Sequence, residues 1–293
     1  MHRLLSAVIV LIFSAMLPVY GQREKNIVYK IGVGELIYTP ANGGNADSPG
    51  KVLKSVAETL LTGQTSSQQP QYAEAVRASI VNGLSKVRLF RPTDGNFTDD
   101  ELSGAVPALY ADGTITNIST VSKSESTKDS KGKTTTNTYY RGLVSVTVNL
   151  KDACDGTVVD SHTFSISDSG GSWMASGEKA ITDALQYLTG RVADHYNRLF
   201  PLNASVIEGG KFKKNKQQEV YIDLGFTDGV YKGQQFDVYL VKTIAGKEAR
   251  TVIGRLKIEE VEGDEISLCK VTKGGDKIKT ALDSGQTILV ITR

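Results

Sequence analysis

YYRGLVSVTVNLKDACDGTVVDSHTFS, running from Tyr139 to Ser165, is the stretch whose reading decides the fold. Val144, Val146, Val148 and Leu150 alternate with Ser145, Thr147 and Asn149, a period of two that puts the four apolar side chains on one face of a half-buried strand. Asp155-Gly156 supplies a turn, because glycine accepts the positive φ of a tight hairpin, and Thr157 to Ile166 returns as a second β-rich run. Burying aliphatic side chains of this size is worth roughly 1.5–3 kcal/mol each, so the face requires a covering element. The nearest is a helical pattern from Ser176 to Leu199, where Ile181, Ala184, Leu185, Leu188, Val192, Tyr196 and Leu199 line one side before Pro201 stops it.

Upstream, Asn26 to Tyr38 reads as a first strand of the same sheet. Its Gly32-Val33-Gly34 lacks the third glycine and the helix start of a dinucleotide loop, so no cofactor is expected. Pro40 to Gly50 is rich in turn residues, Val52, Val56, Leu60 and Leu61 have helical spacing, and Gly63 to Pro70 is a polar linker. Tyr72, Val76, Ile80 and Leu84 recur every four residues as the stripe of an amphipathic helix, and Val87, Leu89 and Phe90 follow as a strand that Pro92 ends. Tyr110 to Val121 is a further strand, opened by Asp112-Gly113. Ser122 to Thr138 is nearly all Ser, Thr, Lys, Asp and Glu, a composition that reads as a long, mobile hairpin tip. Lys123, Lys128, Lys131 and Lys133, with Tyr139 and Tyr140 behind them, are the candidate partner-contact residues, the alternative being a solvated loop without a role.

From Asn203 onward the pattern is all β, in short runs at Val220–Leu224, Gln235–Val241, Thr251–Val261, Glu265–Val271 and Thr287–Ile291. Such spacing predicts a small barrel, with Gly225, Gly229 and Gly233 serving tight turns and backbone crossings. Lys211, Lys213, Lys214 and Lys216 read as a solvated turn between strands. The fold class is therefore α+β: an N-terminal mixed β-sheet domain with packed helices over 22–201, then a small all-β barrel-like domain over 202–293.

Residues 1–21 read as a signal peptide, with Arg3, an apolar block from Leu4 to Leu17 and a small-residue site ending at Gly21. No lipobox cysteine follows the block, and the expected location is a bacterial periplasm. With 34 basic against 32 acidic residues, charge makes no case for nucleic acid as a partner. Cys154 and Cys269 are read as two separate small core residues rather than a pair, and with His162 and His195 they show no metal-ligand spacing. Trp173 and His195 are expected as core or edge residues, since neither has a convergent polar partner in sequence.

Enzyme signatures are incomplete. Gly132-Lys133-Thr134 has no glycine at the P-loop distance. Ser48-Pro49-Gly50-Lys51, Ser167-Asp168-Ser169 and Lys273-Gly274-Gly275 echo the three motifs of serine β-lactamases and transpeptidases, but the second lacks its asparagine and the third its threonine. No catalytic residue is assigned.

Several segments resemble known families. Ala75 to Asp94, ending in Val-Asn-Gly-Leu-Ser-Lys-Val-Arg-Leu-Phe-Arg-Pro, resembles the helix-then-strand unit of the curli secretion channel family and of the related penicillin-binding-protein activator lipoprotein. Ala111-Asp112-Gly113-Thr114-Ile115-Thr116 is similar to the strand that follows there, Leu143 to Ser161 to the central hairpin, and Ile181 to Leu199 to the closing helix. Asp223-Leu224-Gly225, Gly229 to Gly233, Phe236 to Tyr239 and Ile253 to Ile258 resemble the C-terminal domain of flagellar assembly protein T. The curli channel is a lipoprotein that contributes membrane-spanning hairpins, whereas the tip here is Lys-rich and lacks the alternating apolar face that lipid requires.

The expected function is that of a non-catalytic periplasmic accessory or assembly factor of a cell-envelope machine, working by protein–protein contacts. The alternatives are a subunit of a curli-type secretion channel and a cell-wall or β-lactam hydrolase. The expected partners are envelope proteins, with a homo-oligomer and a peripheral association with the outer membrane left open.

Overall fold

The computed structural model describes residues 26–39, 69–167 and 170–293. The segment read as a signal peptide, the turn-rich loop, the helical pattern of Val52 to Leu61, the Ser48 to Lys51 motif and Asp168-Ser169 lie outside the described residues. The chain divides into two compact units, one built on Asn26–Leu202 and the other on Asn203–Phe226 with Val230–Ile291.

The first unit is a five-stranded mixed sheet of order β2-β1-β3-β4-β5. Its strands are β1 (Tyr29–Tyr38), β2 (Phe90–Thr93), β3 (Ala108–Lys128), β4 (Thr134–Asp152) and β5 (Val158–Ile166). Strand β1 runs parallel to both β2 and β3, while β3-β4 and β4-β5 are antiparallel. Two long helices, α1 (Gln69–Leu84) and α3 (Gly177–Leu199), belong to this unit, as does the single turn α2 (Asp99–Leu102). Val144, Val146, Val148 and Leu150 are fully buried, as the period of two requires.

Helix α3 begins where the Ser176 side chain accepts from the Lys179 amide, and it buries Ala180, Ile181, Ala184, Leu188, Val192, Ala193 and Tyr196. It comes so close to β4 that a Cβ on Gly142 would lie 2.3 Å from the Ala180 carbonyl oxygen. Against α1 the approach is equally tight, since a Cβ on Gly83 would lie 2.7 Å from Val192. Thr189 Oγ1 donates to the Ser79 carbonyl at 3.1 Å across that contact. Beneath α3, Tyr196 meets Phe90 and Phe164 at ring distances of 6.0 and 6.1 Å.

The other face of the sheet is polar. Ser145 meets Ser165 at 3.1 Å, Thr147 meets Thr163 at 2.8 Å, and Asn149 takes a hydrogen bond from Ser161 at 2.7 Å. Asp112-Gly113 does not open a strand as expected but sits inside β3. The Asp112 carboxylate is held across the sheet by Asn149 at 3.1 Å and Lys151 at 2.5 Å, and Gly113 lies where a Cβ would meet the Thr147 carbonyl at 2.2 Å. Here the dipeptide serves close strand packing rather than a turn.

His195 is half-buried beside β5, as a core or edge residue would be, but it does have a polar partner, which comes from a strand 35 residues away. Its Nε2 lies 2.9 Å from Asp160 Oδ2, and its ring stacks on His162 at 4.0 Å. Burial, then the charge of His195, holds the His162 imidazole below its ordinary value; Asp160 pulls the other way and Arg198 adds to the depression.

The second unit is a closed six-stranded barrel of order β10-β11-β12-β9-β6-β13. Its strands are β6 (Asn203–Gly209), β9 (Glu219–Ile222), β10 (Gln235–Ile244), β11 (Lys247–Val261), β12 (Ser267–Lys273) and β13 (Ile288–Thr292). Closure removes every sheet edge, and Val220, Ile222, Phe236, Val238, Leu256, Ile258 and Val290 fill the core. The expected glycine roles hold: Gly229 and Gly233 have φ of 68° and 95°, and a Cβ on Gly225 would lie 2.3 Å from the backbone of Asp264. Lys213 and Lys216 flank the turn of a small exposed hairpin, β7 (Phe212–Lys213) with β8 (Lys216–Gln217), as their spacing predicts.

This unit is not all β, because a helix, α4 (Gly275–Asp283), precedes β13 and buries Ile278 and Ala281. Its apolar stripe, Ile278, Ala281 and Leu282 at i, i+3 and i+4, spans a single turn, too short to stand out as helical periodicity. Of the two cysteines, Cys269 is a buried core residue as expected, whereas Cys154 is exposed; both are free. Burial pushes the Cys269 thiol up to about 12.

Gly142→Ala forces α3 off β4 and is expected to lower the unfolding free energy by about 1–3 kcal/mol in a urea titration. Gly190→Ala, inside α3 with nothing within 4 Å of the added carbon, is expected to raise it by about 0.5–1 kcal/mol. The depressed His162 predicts a pH dependence. A neutral imidazole favoured by the fold stabilises fully above the unfolded value of 6.5, and that contribution is lost as pH falls below 6.5 toward the lower folded value. Urea midpoints measured from about pH 7.5 down to about pH 5.5 therefore fall, and His162→Gln flattens the slope.

Candidate interaction arm

Ser122 to Thr138 is a hairpin, as expected, but a paired ribbon rather than a loop. The β3-β4 ladder runs unbroken from Asn117 opposite Ser145 to Lys128 opposite Thr134, leaving only residues 129–133 as a turn. The physical reason lies in side chains that composition alone undervalues. Threonine favours the extended backbone, and hydroxyls opposite one another satisfy each other: Ser124 with Thr138 at 3.0 Å and Ser126 with Thr136 at 2.8 Å. The turn is also organised locally. Asp129 Oδ1 accepts from the amides of Lys131 and Lys133, each at 2.9 Å, and Gly132 supplies a φ of 80°.

This ribbon outruns the rest of the sheet. Among the described residues, β1 pairs with β3 only as far as Ile115, and β5 pairs with β4 only from Val144 onward. Ser119 to Lys128 and Thr134 to Leu143 thus form a two-stranded arm about 30 Å long, at the usual rise per residue. Between Ser122 and Thr138 it carries no apolar side chain on either face. Its charges are Lys123, Lys128, Lys131 and Lys133 against Glu125 and Asp129, a net basic balance.

The six residues expected at a partner contact separate into two groups. Lys128, Lys131 and Lys133 are exposed at the tip. Lys123, Tyr139 and Tyr140 sit lower on the arm, where two residues the sequence did not single out for contact, Trp173 and Arg141, join them. The Met174 backbone pairs with Tyr140 through two hydrogen bonds of 2.7 Å, adding a short strap to the β4 edge. That strap carries Trp173, with Lys123 Nζ 4.8 Å and Arg141 Cζ 4.4 Å from its ring centroid. Trp173 is therefore a half-buried edge residue, one of the two places expected for it, and it clamps the root of the arm. Its isolated position between a glycine run and a helix gave no sequence clue to these cations.

Chemically, the arm offers backbone donors and acceptors along its edges, hydroxyls and lysines. Lys123 is engaged by Glu125 at 2.7 Å. Gly132-Lys133-Thr134 falls on a strand–turn–strand, not on the strand–helix junction of a phosphate-binding loop. Among the described residues no group of three or more His, Cys, Asp or Glu side chains is placed to hold a metal ion.

No protein-family model matches the chain, and no curated protein matches it. Among solved structures, the chain is similar to a PelC dodecamer from Paraburkholderia phytofirmans, at 13% identity and a TM-score of 0.30, covering 57% of this chain and 86% of that one. It is also similar to a homolog of a neuraminyllactose-binding hemagglutinin from Helicobacter pylori, at 12% identity and a TM-score of 0.28, covering 62% of this chain and 87% of that one. Likenesses at this level carry no argument about what the chain does.

Proposed function

We propose that this protein is an exported, non-catalytic accessory or assembly factor of a cell-envelope machine, and that it works by docking a partner protein on the β3-β4 arm. The observation that carries this reading is the arm itself. A ribbon held together by its own hydroxyl pairs and anchored by Trp173, yet packed against no other strand along most of its length, adds little to the core and places its tip away from the sheet. The apolar segment at residues 1–21 supports export.

A membrane-inserted role fits the arm less well. A lipid-facing hairpin needs an apolar outer band, and none of the side chains from Ser122 to Thr138 is apolar. Among the described residues no helix is long and apolar enough to cross a membrane.

Cells expressing the full chain test both readings. The processed protein is expected to sediment with envelopes and to be released by a high-salt, alkaline wash without detergent. Retention as a large complex after that wash would point instead to a secretion-channel subunit. A variant in which Glu125 to Asn137 is replaced by an Asn-Gly turn keeps Lys123, Tyr139 and Trp173, so its melting temperature is expected within about 2 °C of the parent. It is expected to lose most of its envelope association, and undiminished association would remove the arm from the contact.

A further inference from the structure

The sheet of the first unit treats its two edges differently. At one end, β2 is four residues long and carries Pro92 and Arg91, the devices that keep an edge strand from pairing with another chain. At the other end, β5 is nine residues long and contains neither proline nor lysine. Val158 and Val159 on it are 54% and 45% exposed. As the outermost strand among the described residues, it turns alternate N–H and C=O groups of Val158–Ile166 away from β4.

That open edge runs beside a groove. Arg191, Asp194, His195 and Arg198 recur at i, i+3, i+4 and i+7 along the flank of α3, and they face β5 across a cleft of about 290 Å³. The stacked His162 and His195 rings and the Phe164 ring line its floor. Arg191 Nη1 donates to the Ser165 carbonyl at 3.2 Å, so the helix already supplies one hydrogen bond to the strand. The charge balance of the cleft is uneven. Its lining sets Arg191 and Arg198 against one carboxylate, Asp194, while Asp160, 2.9 Å from His195, lies outside the lining. Neither guanidinium has a carboxylate within ion-pair distance among the described residues.

We propose that the β5 edge and the α3 flank form a strand-addition groove that takes an extended, acidic segment of a partner polypeptide. The segment pairs its backbone with β5 as a sixth strand, and its carboxylates meet Arg191 and Arg198. Backbone pairing fixes the occupant as an extended chain, and the two arginines fix the sign of its charge. This surface is separate from the arm, and a partner can use either without the other.

The test uses the full chain and two probes, a capped nonapeptide of alternating valine and glutamate and its valine–lysine twin. The glutamate probe is expected to slow amide exchange across Val158–Ile166, and R191E/R198E is expected to weaken its binding by about tenfold or more while improving that of the lysine twin. The arm-shortened chain is expected to bind the glutamate probe as tightly as the parent, which separates this result from the fate of the arm. Four results overturn the proposal: protection on another strand, equal binding of both probes, no binding up to about 1 mM, or concentration-dependent protection of β5 without a probe, the mark of a second copy on the edge.

Discussion

The contact on which the first unit depends is the meeting of two backbones with no side chain between them, α3 against β4 at Gly142 and Ala180. A helix normally stands off a sheet by the depth of its side chains, and here glycine removes that depth at one point. From that fixed point the rest of the helix is determined. Leu188 and Val192 fall over the valine face, Tyr196 reaches the aromatic cluster with Phe90 and Phe164, and α1 is drawn in until Gly83 meets Val192. The flank bearing Arg191 and Arg198 is held beside β5 by the same geometry. A substitution at Gly142 would shift the groove as well as the core.

Much of this architecture was legible in the sequence because it rests on periodicity. Val144 to Leu150 announced a strand, Ile181 to Leu199 a helix to cover it, and the short β runs after Asn203 a barrel. What failed to show was structure made by pairing rather than by burial. The arm is built from Ser, Thr and Lys, residues whose composition argues for a solvated loop, and its order comes from cross-strand partners that no single-strand pattern contains. Helix α4 was hidden because its apolar residues, Ile278, Ala281 and Leu282, cover a single turn.

The candidate sites repeat this division. Lys128, Lys131 and Lys133 were visible as a charged tip, but the clamp of Trp173 between Lys123 and Arg141 depends on a strap folding back to Tyr140. Likewise Asp160, His162 and His195 belong to two elements far apart in sequence. The polar face of the sheet marks the opposite case. Ser145, Thr147 and Asn149 are satisfied by Ser165, Thr163 and Ser161, so that face completes its own hydrogen bonds.

The two thiols give the molecule a built-in contrast in reactivity. Cys154 stands exposed in the turn between β4 and β5, while Cys269 lies inside the barrel, its thiolate strongly disfavoured by burial. An intact molecule therefore presents a single thiol to small disulfides and alkylating agents. The second becomes available only when the barrel opens, so modification beyond one thiol per chain counts open barrels. A chain modified twice would carry a permanent record of having unfolded in that part.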